Sequence, residues 1–172
     1  MSVFATALAA EFSHLPKSLR AFHKGPSPRS FEGAATVIRG TGPLTQVALR
    51  LGNFPPAGET GLRVTVSENG PIETWQRDFG PHRLASSLQA EGRNILERFG
   101  PLSCTLAPEW TGEKLAVKAT RLNLFGVRLP KALTPESRSA EWEDAGVFQF
   151  DIAAYLPGDH LLIRYRGALE PA

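Results

Sequence analysis

Cysteine occurs once in the 172 residues, at Cys104, methionine once and tyrosine twice. A lone cysteine excludes an intrachain disulfide and any Cys-based zinc site. No run approaches the roughly 20 uncharged apolar residues of a membrane-spanning helix. Residues 1–12 are alanine-rich but lack a basic start, and Glu11 interrupts them, so they do not read as a signal peptide. Cytoplasmic residence is therefore the expectation. Excess charge is also lacking: 19 Lys and Arg face 17 Asp and Glu, for a net charge of +2. That leaves no electrostatic footprint for nucleic acid. The four histidines, His14, His23, His82 and His160, are never three to five apart, so no helical metal pair exists. His14 and His23 are expected on a helix surface or at a helix end. There is no G-x-x-x-x-G-K-[ST] loop, and Ser86-Ser87 lacks the flanking glycines of a nucleophile elbow. No metal and no cofactor are expected.

What is present describes a globular chain. Hydrophobic residues make up 42% and charged residues 21%, a composition able to bury roughly two-thirds of the unfolded surface at this length. The expectation is a single domain over residues 1–172, with a helical segment, 1–24, packing on a β body. Phe4, Leu8 and Phe12 recur four apart behind a capping Ser2. After Ser13, Leu15, Leu19 and Phe22 repeat the pattern, with Pro16 suited to a first helical turn and Gly25 to the stop. A third, short helix is expected from Pro43 to Gly52, with Leu44, Val47, Ala48 and Leu51 as its apolar stripe.

From Leu62 the period changes to two: Leu62, Val64 and Val66 alternate with Arg63, Thr65 and Ser67. Turn signals at Asn69-Gly70, Gly80-Pro81, Gly92, Gly100-Pro101 and Gly112 then cut the chain into short strands. About nine strands are predicted, with residues 127–135 as an irregular crossing. Most connections are too short for a crossover helix, so successive strands should be antiparallel neighbours. A sheet this wide curls or closes. The fold class is α+β, mainly antiparallel β: a strongly curved sheet or up-and-down barrel with two N-terminal helices and one short helix.

Six segments stand in a characteristic order: 33–44 (GAATVIRGTGPL), 74–80 (TWQRDFG), 97–101 (ERFGP), 126–135 (GVRLPKALTP), 148–151 (FQFD) and 165–169 (YRGAL). Together they resemble the bacterial family of the domain of unknown function 4166, over nearly the whole chain. The resemblance implies a fold-level unit, sometimes attached to dehydrogenase-like domains. It supplies no catalytic residues.

Other local patterns have ordinary explanations. Gly40-Thr41-Gly42 sits at a strand-to-helix turn, but Thr45 falls where a dinucleotide fingerprint needs its third glycine. Glu141, Glu143 and Asp144 read as a solvated strand end. Cys104 alternates with Leu102 and Leu106 and should be buried and inert.

Polar residues on apolar strand faces carry the most information. Trp75, Arg77 and Phe79 share a face, as do Ile95, Glu97 and Phe99. If the aromatic faces point inward, so do Arg77 and Glu97, and a buried charge needs a partner. Ser86, on the strand between, is small enough for Arg77 to reach across. Trp75, Arg77, Phe79, Ser86, Glu97 and Phe99 are thus the candidate ligand-binding residues, with the pair read as a register-fixing ion pair or as a polar anchor in an apolar pocket. Asp151 should lie on the outer face with Arg164 or Arg166.

The functional expectation is a non-enzymatic module holding a hydrophobic or lipid-like small molecule. Two alternatives stand beside it. One is a metal-independent enzyme using Glu97 or Asp151 as acid or base and Arg77 as anion stabiliser. The other is an accessory domain for a dehydrogenase-like partner, marked by an exposed apolar patch and a sheet without a cavity.

Overall fold

The alternating stretches pair into twelve strands in the computed structural model, which describes residues 2–172. They are β1 (Arg29–Arg39), β2 (Gly58–Asn69), β3 (Ile72–Phe79), β4 (His82–Glu91), β5 (Asn94–Phe99), β6 (Leu102–Trp110), β7 (Leu115–Leu124), β8 (Val127–Arg128), β9 (Glu136–Ser137), β10 (Ser139–Asp144), β11 (Val147–Leu156) and β12 (His160–Pro171). The ladder runs β10-β11-β12-β1-β2-β3-β4-β5-β6-β7-β8, every pair antiparallel, and β10 also pairs with β7. That last pairing, Ser139 opposite Val117 and Glu141 opposite Leu115, closes ten strands into a barrel. Closure removes the two open edges that a sheet of this width would otherwise expose. At the β1–β12 seam the backbones come very close. A Cβ on Gly33 would run into the Ala168 carbonyl, and one on Gly167 into the Ala34 carbonyl. Both positions therefore need glycine.

The strand count exceeds the expected nine. One short strand, β8, lies in the region read as irregular, and another, β9, directly follows it. β11 and β12 also continue past the alternating residues, with a register shift at Ala154/Tyr155. In a closed barrel a neighbouring strand supplies hydrogen bonds even where alternation fails, so pairing outruns pattern.

One end of the barrel is plugged by the N-terminal segment. Helix α1 (Val3–Leu8) continues as a 3-10 turn, Ala9–His14, and α2 (Lys17–His23) follows. Ser2 caps α1, its Oγ accepting the Ala5 N–H at 3.4 Å. Phe4, Leu8, Phe12, Leu19 and Phe22 are all buried, α1 against β4–β6 and α2 against β10 and β11. Glu143 of β10 accepts the Ser18 N–H at 2.8 Å, tying the first turn of α2 to the sheet. That bond holds the Glu143 carboxyl below its usual range.

At the opposite end, α3 (Pro43–Leu51) joins β1 to β2 and lies against β12. Its limits match Pro43 and Gly52, but its expected stripe is only partly covered. Thr45 and Leu49 are buried, whereas Leu44 and Val47 are 63% and 54% exposed. The apolar side of α3 overhangs the barrel mouth rather than sinking into a filled core. No described helix is long and apolar enough to cross a membrane.

Candidate ligand-binding site

The period-two faces place all six candidate residues on the inner wall. On β3, Trp75 stands opposite Ser86 of β4, and Leu88 of β4 stands opposite Glu97 of β5. Arg77 spans that intervening strand. Its Nη1 donates to Ser86 Oγ at 2.9 Å and its Nη2 to Glu97 Oε1 at 3.3 Å. The guanidinium lies 5.1 Å from the centre of the Trp75 ring, within cation–π reach. The Arg77 and Glu97 side chains are 14% and 16% exposed, so each compensates the other's partial desolvation. Phe79 packs edge-on against Tyr165 at 5.5 Å, and Phe99 against Phe54 at 6.2 Å.

Further polar groups face the same interior. Tyr165 of β12 is half-buried, and desolvation pushes its phenol above the usual range. Cys104 stands opposite Glu97 across the β5–β6 ladder. It is buried, and desolvation, helped by the Glu97 carboxylate, pushes its thiol up to about 12. Ser137, Ser139 and Glu141 complete the polar wall. Two expectations need correction here. His23 does end a helix, but it is fully buried. Glu141 is not a solvated strand end, because its Oε2 lies 2.5 Å from His23 Nε2. The plug accounts for both: α2 delivers His23 over β10, where it meets Glu141 away from water. Sequence alternation hid this pair, because Ser139, Glu141 and Glu143 share a face with no apolar residue among them to mark it as inner.

Asp151 lies on the outer face, held by Arg164 through Nε to Oδ1 at 2.8 Å and Nη2 to Oδ2 at 2.5 Å. It therefore does not converge with Glu97. The turn at 40–42 leads through α3 into an antiparallel strand, as an ordinary strand-to-helix turn.

Between plug and mouth the barrel is not filled. An inner cavity of about 200 Å³ is bounded by Phe4 and Phe22 of the plug, by Trp75, Arg77 and Glu97, and by Tyr165. An outer cavity of about 270 Å³ lies under α3, between Leu44, Val47 and Leu51 on one side and Leu122, Leu129 and Leu133 on the other. Phe54, Phe99, Ala119, Ser137 and Ala154 border both. The two spaces thus meet at the Phe54–Phe99 contact. The inner one carries the polar groups and the outer one is almost wholly apolar.

The family model described as "Domain of unknown function (DUF4166)" matches residues 15–169. No curated protein matches. Among solved structures, a protein of unknown function from the DUF3598 family of Nostoc punctiforme aligns with a TM-score of 0.52 and 12% identity, covering 84% of this chain and 47% of that one. The chain thus spans about half of that protein. Rv2717c from M. tuberculosis aligns with a TM-score of 0.49 and 14% identity, over 92% of this chain and 99% of that one. At these identities the first likeness concerns the fold alone.

Proposed function

The chain belongs to the DUF4166 family, and for this member we propose a non-enzymatic binding module that holds a hydrophobic or lipid-like small molecule inside its barrel. The observation that carries the reading is the pair of adjoining cavities. An inner chamber with a few polar groups and an almost wholly apolar outer one suit a ligand with an apolar body and one polar end. The body fills the outer cavity under α3 and reaches the inner one past the Phe54–Phe99 contact. The polar end meets Arg77, Glu97 and Tyr165. The Arg77–Glu97 pair offers a donor and an acceptor in one place, so it can serve a carboxylate or a hydroxyl without leaving an unpaired charge in the empty protein. Asp151, one of the two acids of the catalytic alternative, lies on the outer wall and is held by Arg164, away from Arg77.

Binding of a fluorescent polyene fatty acid, parinarate, tests the reading. The intact protein should bind it with enhanced emission. Ala119→Phe and Ala154→Phe, which fill the junction of the cavities, should each abolish binding while leaving the far-ultraviolet circular dichroism unchanged. Native mass spectrometry of protein purified from its own host should show a co-purifying apolar molecule. Parinarate binding unaffected by both substitutions, or absent from the start, would refute the proposal.

A further inference from the structure

Exposed large apolar side chains on this protein are not scattered. Of Ile38, Leu44, Val47, Ile72, Phe125, Val127 and Leu133, all but Ile72 lie at the open end of the barrel. Phe125 and Val127 are 75% and 69% exposed and flank Gly126 at the tip of the β7–β8 hairpin. Leu44 and Val47 lie on α3 across the mouth, and both segments border the outer cavity.

On the two segments that frame the mouth, charge has one sign. Residues 40–57 contain Arg50 and no acid, and residues 121–135 contain Arg121, Arg128 and Lys131 and no acid. All four basic residues are exposed. None of the four joins a salt bridge among the described residues, whereas the neighbouring Arg138 is taken up by Glu136 and Asp159. Apolar tips ringed by unpaired cations suit the headgroup layer of an anionic bilayer, where apolar side chains sink a few ångströms and cations meet lipid phosphate. A protein partner for so many unpaired cations would have to present a matching acidic ring around an apolar pit. A bilayer supplies both as bulk properties.

We infer that the barrel mouth, formed by α3 and the β7–β8 hairpin, docks on anionic membrane surfaces. The inference deepens the binding-module reading and rests on it in one respect: a ligand would then pass between bilayer and barrel through the outer cavity without crossing water. The docking itself stands on the surface residues alone.

Sedimentation with vesicles tests it. The full chain should pellet with phosphatidylcholine–phosphatidylglycerol (3:1) vesicles, at least ten-fold more strongly than with phosphatidylcholine alone, and less so as salt rises. The double variant Phe125→Ser, Val127→Ser should lose more than ten-fold of this partitioning. Arg128→Gln and Lys131→Gln should each lose about five-fold. These four residues border neither cavity, so parinarate binding without vesicles should be unchanged in every variant. Parinarate binding with no affinity for anionic vesicles would overturn the docking surface and leave the binding module standing. Vesicle binding without parinarate binding would do the reverse. A dimer that dissociates in the Phe125→Ser, Val127→Ser variant, with no vesicle binding, would assign the face to a second copy and also overturn the inference.

Discussion

His23, at the end of the second helix, reaches Glu141 of β10 at 2.5 Å, and neither side chain sees appreciable solvent. Phe4 lies against the same imidazole at 4.0 Å between ring centres, and Trp75 at 5.8 Å. The contact joins residues 118 apart in sequence and fastens the N-terminal plug to the barrel wall. His23→Leu would leave Glu141 buried beside apolar groups, at a cost of about 3–5 kcal/mol. His23→Leu with Glu141→Leu should recover much of that loss. Denaturant unfolding of the two single variants and the double variant measures it, and a purely additive double variant would show that the two residues do not act as a pair.

The Arg77–Glu97 pair invites the same cycle with a second readout. Arg77→Met should destabilise by about 3 kcal/mol, because Glu97 then faces an apolar wall. Arg77→Met with Glu97→Leu should restore stability and still lose the polar end of the ligand. Parinarate affinity should therefore stay low in the double variant while the denaturation midpoint returns. Recovery of both would make the pair structural only.

Cys104 predicts a specific alkaline weakness. Burial raises its thiol from 9.0 in the unfolded chain to about 12 in the folded one. The folded state thus favours the protonated form. The associated stability is fully present below pH 9 and is lost as pH rises from 9 toward 12. Cys104→Ala should flatten that decline in a pH series of denaturation curves. The same burial predicts that a thiol reagent at pH 8 labels Cys104 only after unfolding, so rapid labelling of the native protein would contradict it.

Gly33→Ala tests the seam of the barrel. Its Cβ would collide with the Ala168 carbonyl in the adjacent strand, and backbone cannot yield as a side-chain tip can. A loss of about 2 kcal/mol or more is expected. Gly61→Ala is the control, because a Cβ there meets nothing. Equal effects at the two sites would contradict the close approach at the seam.

Much of this molecule was legible from local pattern. Alternation at Leu62–Val66, at Trp75–Phe79 and at Ile95–Phe99, with glycine turns between, is enough to specify antiparallel neighbours. It also puts Arg77, Ser86 and Glu97 on one face, because side-chain direction in a strand has a period of two whatever surrounds it. The spacing of Phe4, Leu8, Phe12, Leu19 and Phe22 likewise marks their helical faces as buried.

Pattern says nothing, however, about what the inward face encloses. Whether Leu44 and Val47 end in a core or over a cavity depends on how far α3 stands from β7 and on the 122–135 segment, and neither distance is a local property. His23 and Glu141 carry no apolar signature, and only closure of β10 onto β7 and the seating of α2 make them inner residues. A filled barrel and a hollow one share the same alternation. The tertiary structure decided between them, because the volume left inside depends on the packing of the whole ring and its plug.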